Sequence, residues 1–309
     1  MTAISTNKTY IGILLALTAV IVWSGNYVVA RGIIQQVPPI AVAFYRWLLA
    51  SICIVPFAYK AFKKDLPILL QHKTYLFFAA FTGVTLFNTF IYIAGHYTNA
   101  INLALIGTTG APIIATILAS IFLKEIISSY RLAGMAICFA GILVLLSQGS
   151  IERLSKFHFE KGDVLMLISA TAFAVYNILV RKKPMNISAL SFLMVTFLVG
   201  TIIIFPFFLI EKSNTTPIQW NMNLVYTFAY LALGNSVLSF LCWNAAIKHL
   251  GAAKTALFTN LIPIFSTIEA VLFLNEQLTK VHLISGGLII AGLIVANLVF
   301  SKSTQTTTN

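Results

Sequence analysis

The sequence predicts an all-α integral membrane protein in which ten transmembrane helices are built as two inverted five-helix repeats. Three observations favour this fold class: an apolar composition, ten long apolar runs and a weak internal repeat. Of the 309 residues, 59% are hydrophobic and 9% are charged, and the mean hydropathy is +0.92. Soluble domains contain about 25% charged residues, so this chain has too few charges to cover a water-facing surface.

Ten segments are long and apolar enough to form spanning helices, which need roughly 20 residues each. The connections between them are short, and none has room for a soluble domain. The predicted spans are residues 10–30, 40–59, 75–95, 100–123, 131–148, 162–181, 187–210, 222–247, 252–274 and 281–300.

An internal repeat relates the two halves of the chain. Pro112 pairs with Pro263 and Gly141 with Gly292, each 151 residues apart, and the segment ending at Glu125 nearly repeats the one ending at Glu276. Five helices per half is an odd number, so the second half enters the membrane with the opposite topology. Inverted repeats are typical of transporters, whose substrate site lies near the midplane between the halves. The predicted units are residues 1–149, a linker at 150–161, residues 162–300 and a polar tail at 301–309.

Four motifs resemble the EamA-type family of the drug/metabolite transporter superfamily. They are "AVIVWSGNYVVAR", "FYRWLLAS", "TTGAPIIATILASIFLKE" and "LIPIFSTIEAVLFLNE". The resemblance covers essentially the whole chain. It implies ten helices, a central cavity and, most often, export of small metabolites from the bacterial cytoplasm. It does not identify the substrate, because members of this family differ widely in cargo.

The distribution of basic residues predicts the orientation. With the amino terminus in the cytoplasm, thirteen Lys and Arg residues lie inside and six outside, so both termini are predicted to be cytoplasmic. We therefore expect a multi-pass protein of the inner (cytoplasmic) membrane. The net charge of +12 is explained by this bias, and no basic domain lies outside the membrane to bind nucleic acid.

Two ionisable residues, Arg46 and Glu269, lie inside predicted spans, where a charge is costly. Each is five or six residues from the outer end of its helix, or roughly 9 Å for Arg46. We hypothesise that they face each other or share a polar cluster; the alternative is that each side chain reaches outward separately. The arginine resembles the family pattern, whereas Glu269 departs from it. The carboxylate could be a structural partner of Arg46, a contact for a substrate amine or a site of proton coupling.

Polar residues concentrate on six of the ten spans and predict the lining of a cavity. Polar side chains in a bilayer face protein or water, so the alternative for any one of them is a hydrogen bond between helices. The predicted substrate-binding residues are Asn26, Tyr27, Asn88, Tyr92, His96, Thr108, Thr109, Tyr176, Asn177, Ser239, Trp243 and Asn260.

Other residues predict mechanical roles. Pro112 and Pro263 each remove a backbone hydrogen bond, which predicts a hinge or, alternatively, a static kink. The fifth and tenth spans carry small residues instead of polar ones, which indicates a scaffold or homodimer contacts through these two helices. We expect Glu125 and Glu276 to fix helix ends.

The motifs present and absent favour a secondary transporter, with amino acids or related small metabolites as the expected cargo. No GxxxxGK[ST] motif exists for ATP, and the single deep acid without an HExxH spacing argues against an intramembrane enzyme. A light sensor would need a mid-helix lysine. A lipid or lipid-linked-sugar carrier is the closest alternative. The three cysteines lack metal spacing, so we expect no metal and no cofactor; the expected partners are a small-molecule substrate and the lipid bilayer.

Overall fold

The computed structural model describes residues 6–123, 129–150, 152, 160–250 and 257–297, and helices account for all the regular secondary structure in these ranges. Residues 151 and 153–159 of the predicted linker and the whole polar tail lie outside the described residues. The helices are α1 (Thr6–Gly32), α2 (Pro39–Gln71), α3 (Lys73–Ala94), α4 (Ala100–Leu123), α5 (Ser129–Leu146), α6 (Lys161–Arg181), α7 (Ala189–Asn214), α8 (222–250), α9 (257–274) and α10 (Lys280–Asn297).

Many of these helices are long and apolar enough to cross a bilayer. Within the described ranges six meet both criteria, and three shorter apolar helices accompany them. The six are Thr9–Gly32, Pro39–Gln71, Lys73–Ala94, Lys161–Val180, Ala189–Asn214 and Met222–Ala246, and the shorter ones are Leu132–Leu145, Ile262–Leu274 and Lys280–Gly292. The chain is therefore an all-helical membrane protein.

Helix α2 is longer than its predicted span of 40–59. It has 33 residues and continues through Lys63 and Lys64, which are exposed, and through Pro67. At 1.5 Å per residue it is about 50 Å long, against about 30 Å for the hydrocarbon core of a bilayer. The prediction stopped where charges begin because hydropathy reports solubility in lipid, whereas a helix continues into water without penalty for lysine.

The ends of α2 and α7 are joined by carboxylates. The Glu211 carboxylate, near the end of α7, accepts hydrogen bonds from the first amides of α2, Ile40 N at 3.0 Å and Ala41 N at 2.6 Å. Near the other end of the pair, Asp65 of α2 accepts a hydrogen bond of 2.8 Å from the amide of Ser188, the N-cap of α7. An anion beside a helix N-terminus satisfies free N–H groups and complements the helix dipole. Each helix therefore supplies the cap of the other.

Helices α3 and α8 each contain a π-helical segment. The segments are Phe81–Leu86 in α3 and Tyr230–Leu238 in α8. Two hydroxyls in α8 follow the same wide turn and donate to carbonyls five residues earlier, Ser236 to Leu231 and Ser239 to Gly234. Such segments are rare and frequently mark functional sites.

The helices pack in a small number of extensive pairs. These pairs are α2 with α7, α5 with α10, α4 with α6, α1 with α8, α1 with α9, α3 with α6, and α4 with α9. Helix α2 also packs against the π segment of α8, and α7 against that of α3. Residues of α1, α2, α3 and α8 share the main buried core, which is where the candidate site lies.

Helices α5 and α10 pack against each other through the small residues noted in the sequence. A Cβ atom added to Gly292 would lie 2.6 Å from the carbonyl oxygen of Gly134, and one added to Gly141 would lie 2.9 Å from that of Ser285. Such distances require close backbone approach, so these residues form a contact within one chain. Gly286 and Gly287 have open space beside them. The homodimer through these helices stays a prediction.

Within the described residues, helix α9 changes type along the predicted span of 252–274. A 3₁₀ turn, Leu257–Leu261, precedes the α-helix Ile262–Leu274, and Pro263 lies in the first turn of that α-helix. Proline is well tolerated there because the first-turn N–H groups have no partner within the helix. Pro263 thus marks the change of helix type, and its role as a hinge stays a prediction. Pro112 belongs to α4, and its side chain lies outside the described residues.

Candidate functional site

Arg46 is the centre of a buried polar cluster. Only 3% of the residue is exposed, and its guanidinium donates five hydrogen bonds to side-chain oxygens. The acceptors are Ser236 Oγ at 3.1 Å from Nε; Asn26 Oδ1 at 2.7 Å, Asn88 Oδ1 at 2.8 Å and Tyr92 Oη at 2.7 Å from Nη1; and Asn235 Oδ1 at 2.7 Å from Nη2.

These contacts unite four helices from both halves of the chain. Arg46 lies on α2, and its partners lie on α1, α3 and α8. Every partner is neutral, and within the described part of the chain no carboxylate forms an ion pair with it. Removing an arginine from water is costly, and the hydrogen bonds offset part of that cost. The ring of Trp47, 4.7 Å from the guanidinium carbon, adds a cation–π contact.

The π segment of α8 explains why two successive residues reach the same guanidinium. Asn235 and Ser236 would be separated by about 100° around a regular α-helix. The wider π turn changes their directions, so both contact Arg46. Asn235 is also hydrogen-bonded to α1. Its side-chain Nδ2 donates to the backbone carbonyl of Val22 at 2.7 Å, and its backbone carbonyl accepts from Trp23 Nε1 at 3.2 Å.

Glu269 of α9 forms a second part of the cluster. Its Oε1 accepts a hydrogen bond of 2.8 Å from Ser24 Oγ on α1, whereas its buried Oε2 has no hydrogen-bond partner. The Tyr230 hydroxyl and Glu269 Oε2 lie beside Gly25: a Cβ atom added to this glycine would be 2.2 Å from the hydroxyl and 3.4 Å from Oε2. The Tyr230 hydroxyl donates to the carbonyl of Val22. The missing side chain of Gly25 therefore provides the space for both groups.

Arg46 and Glu269 are linked through α1 and are not hydrogen-bonded to each other. Arg46 contacts Asn26 and Glu269 contacts Ser24, two residues earlier on the same helix. The two side chains are therefore anchored on neighbouring positions of α1, and their action as one polar cluster stays a prediction.

Among the predicted lining residues, Asn26, Asn88 and Tyr92 are in direct contact with Arg46. Others make separate contacts. The rings of Trp243 and Trp23 are 5.0 Å apart. The Thr108 hydroxyl donates to the carbonyl of Ala104 in its own helix, at 2.7 Å. The remaining described ones are Tyr27, buried beside Gly107; Ser239, bonded within α8; Tyr176, stacked between Phe173 and Phe192; and Asn177, half-buried on α6.

Three predicted residues are placed apart or are not described. His96 is exposed in the turn after α3 and has no contact with Arg46 among the described hydrogen bonds. The side chains of Thr109 and Asn260 lie outside the described residues. No group of three metal-ligating side chains occurs within the described ranges.

Glu276 caps a helix as predicted. Its carboxylate accepts hydrogen bonds from the first amides of α4, Ala100 N at 2.8 Å and Ile101 N at 3.2 Å. This joins the end of α9 to the start of α4. Its counterpart Glu125 lies outside the described residues.

The sequence-based reasoning missed Ser24 and Tyr230, and it left Asn235 and Ser236 out of the binding set. Asn235 and Ser236 were recognisable as polar residues of α8, and helical spacing placed Ser236 on one face with Ser239 and Trp243. Ser24 lies two residues before Asn26 in the "WSGN" part of the first motif, so its position in the sequence could have identified it as a site residue. Nothing in the sequence distinguishes Tyr230 from tyrosines that anchor a helix at the membrane interface.

An open groove of about 700 Å³ lies away from this cluster. It is formed by α2, α3 and α7 and contains none of the predicted binding residues. Its lining is apolar except for Lys73 and Thr74. The groove does not connect to Arg46 through any shared residue.

Comparison with known proteins gives consistent matches over the full described fold. A family model described as the EamA-like transporter family matches residues 10–147 and 160–298. An uncharacterized transporter of Archaeoglobus fulgidus is 31% identical, covering 92% of this chain and 96% of that protein. A "probable amino-acid metabolite efflux pump" of Escherichia coli is 26% identical, covering 89% of this chain and 91% of that protein. A solved crystal structure with 17% identity has a TM-score of 0.62 and covers 94% of this chain and 96% of that one, which indicates a similar fold.

Proposed function

Because the chain belongs to the EamA-like transporter family, and is therefore a membrane transporter, we propose that it exports amino acids or related small metabolites from the cytoplasm. The amino-acid assignment is supported by relatives in Escherichia coli and Salmonella typhimurium that are named probable amino-acid metabolite efflux pumps, each 26% identical. No enzymatic activity is part of this proposal.

The proposed architecture is ten spans arranged as two inverted repeats, 1–149 and 162–300. The packing pairs support it. In two inverted repeats, each helix of the first half corresponds to the helix numbered five higher in the second half. Under this correspondence the α4–α6 pair becomes the α9–α1 pair, and the α1–α8 pair becomes the α6–α3 pair. The pairs α2–α7, α5–α10 and α4–α9 each join two corresponding helices, so the correspondence leaves them unchanged. The family model also matches twice, once in each half. Both termini are cytoplasmic in this proposal, and the membrane is the inner one.

The observation that carries the proposal is the Arg46 cluster. Arg46 of the first half is hydrogen-bonded to Asn235 and Ser236 of the second half, and also to Asn26 in its own. Transporters of this architecture hold substrate between the repeats and expose it alternately by rocking one against the other. A buried cation with neutral partners at that boundary is suited to bind a solute and to change partners when the halves move.

The proposed cycle uses contacts between the halves at the end of the bundle where α1 and α9 terminate. Glu276 of the second half caps α4 of the first, and Glu211 caps α2. In the predicted orientation this is the outer end. Opening toward the outside requires these or neighbouring contacts to separate, while Pro112 and Pro263 serve as the proposed hinges.

A second candidate function is a lipid or lipid-linked-sugar carrier, and the apolar groove between α2, α3 and α7 favours it. A lipid cargo would need contact with both this groove and a polar headgroup site. The absence of shared residues between the groove and the Arg46 cluster favours the small-metabolite proposal.

The test is transport by the purified protein in liposomes. Proteoliposomes are loaded with unlabelled solute, and exchange of labelled amino acids and common metabolites is measured against protein-free liposomes. Exchange of at least one small solute supports the proposal. If only labelled phospholipid or lipid-linked sugar moves between leaflets, the second candidate replaces it.

A further inference from the structure

The guanidinium of Arg46 keeps a hydrogen-bonding position unused. An arginine has five N–H donors, two of them on each terminal nitrogen. Nη1 has three acceptors for its two hydrogens, whereas Nη2 has a single acceptor, Asn235 Oδ1, among the described residues. One Nη2 hydrogen is therefore available to an additional acceptor.

A second unused donor lies beside it. The indole Nε1 of Trp47 is buried and has no hydrogen-bond partner, and only 2% of this residue is exposed. Its ring lies 4.7 Å from the guanidinium carbon of Arg46. Buried donors without partners are rare because the donor has lost its hydrogen bond to water without gaining another. The cationic part of the cluster therefore has two unused donors and no anion.

The anionic part of the cluster, Glu269, has an unused hydrogen-bond acceptor. Oε2 of Glu269 is buried without a donor, and Ser24 satisfies only Oε1. The Tyr230 hydroxyl occupies the space left by Gly25, next to Glu269 Oε2. Gly25 lies between Ser24, which is hydrogen-bonded to Glu269, and Asn26, which is hydrogen-bonded to Arg46. Movement of the Tyr230 ring would therefore open a space on the segment of α1 that contacts both charged residues.

From these three observations we propose, on the basis of the transport function above, that the site recognises a free α-amino acid by both of its charged groups. The carboxylate binds the unused donors at Arg46 and Trp47, and the ammonium group binds Glu269 Oε2. Tyr230 leaves the space beside Gly25 when the amino acid enters. The side chain of the amino acid is not selected by these contacts, so the requirement applies to both charges and not to one particular amino acid.

A structural role for the two residues predicts a different pattern. An arginine and a glutamate that only join helices would affect every ligand equally when mutated. Recognition by charge instead couples each residue to one end of the ligand, and that coupling is measured by changing the residue and the ligand together.

The experiment is titration calorimetry of the detergent-purified protein with the twenty amino acids, followed by the N-acetyl and carboxamide derivatives of the tightest binder. The N-acetyl form lacks the ammonium group, and the carboxamide lacks the carboxylate. We expect each derivative to bind at least about tenfold more weakly than the free amino acid, as for loss of a hydrogen bond to a charged group.

Variants of the protein test which residue binds the ammonium group of the ligand and which binds its carboxylate. Glu269→Gln should weaken the free amino acid to the level of its N-acetyl form and leave the N-acetyl form unchanged. Arg46→Lys, which keeps the charge but loses the planar fork, should weaken the free amino acid and the N-acetyl form but leave the carboxamide unchanged. Glu160→Gln, a matched carboxylate-to-amide change at the N-cap of α6, should leave all three affinities unaltered.

Three results would overturn the inference: equal binding of the free and blocked forms, equal weakening of all ligands by Glu269→Gln, or no binding by any amino acid. The ligand comparison on the unmutated protein decides the question even if Arg46→Lys does not fold. Liposome exchange of a solute that lacks one charge would leave the transporter proposal standing while this inference fails. An absence of exchange by any solute would instead reject the transporter proposal itself.

Discussion

Replacing Gly25 by alanine should destabilise the protein by forcing Tyr230 out of the polar cluster. The new Cβ would lie 2.2 Å from the Tyr230 hydroxyl and 3.0 Å from its ring carbon Cζ, closer than any normal contact. Overpacking typically costs about 1–3 kcal/mol, and loss of the hydrogen bond to Val22 about 1 kcal/mol more. Alanine is favoured over glycine in a helix by about 1 kcal/mol. The expected net loss is therefore about 1–3 kcal/mol.

The assay is thermal unfolding of purified variants in one detergent, and the chain offers a matched control. Gly286→Ala introduces the same methyl group in a helix where nothing lies within 4 Å, so it should be neutral or slightly stabilising. Tyr230→Phe removes the hydroxyl that the methyl group strikes. The double variant Gly25→Ala with Tyr230→Phe should therefore lose less than the sum of the single changes. A Gly25→Ala variant as stable as Gly286→Ala, or strictly additive losses in the double variant, would refute this reasoning.

Three further predictions concern other contacts. Glu276→Gln should lower the unfolding free energy by about 0.5–2 kcal/mol in thermal melts, because a charged cap of α4 becomes neutral; an unchanged melting temperature would mean that the cap is energetically silent. Gly292→Ala should destabilise by about 1–3 kcal/mol, since the backbone of Gly134 lies 2.6 Å from the added carbon and cannot rotate away, and a neutral result would contradict the close packing of α5 and α10. Asn235→Asp places a carboxylate against Arg46 and should abolish exchange in liposomes while retaining or raising the melting temperature; retained exchange would show that the cation need not be free.

The helices were largely predictable from the sequence, and their ends were not. Apolar runs identified the course of α4, which is described over Ala100–Leu123, because hydropathy and helix formation agree along it. Helix α2 exceeds its span because helix formation continues after the membrane ends. Helix α9 contains a 3₁₀ turn before Pro263, and a hydropathy profile does not distinguish a 3₁₀ turn from an α-helix.

The candidate site was predicted in part for a similar physical reason. Asn88 and Tyr92 are four residues apart on a regular segment, so helical spacing placed both on one face, and both contact Arg46. Helical spacing grouped Ser236 with Ser239 and Trp243 but did not group it with its neighbour Asn235, and both contact Arg46 from the π segment of α8. Glu269 stands where the first repeat has Leu118, 151 residues earlier, and this difference was visible in the sequence. The hydrogen bond between Glu269 and Ser24 depends on how α1 and α9 pack, which the sequence does not show.

The reciprocal caps of α2 and α7 have a consequence for biogenesis. The first amides of α2 receive their protein partner only when residue 211 has been synthesised, about 170 residues later than the helix itself. Until then, water or lipid headgroups must satisfy those amides at the membrane surface. The amino-terminal half therefore leaves the ribosome with an unfinished helix end, and its maturation depends on the arrival of the other half. A chain truncated before Glu211 would retain the apolar spans of the first half and still lack one of the contacts that hold α2 in place.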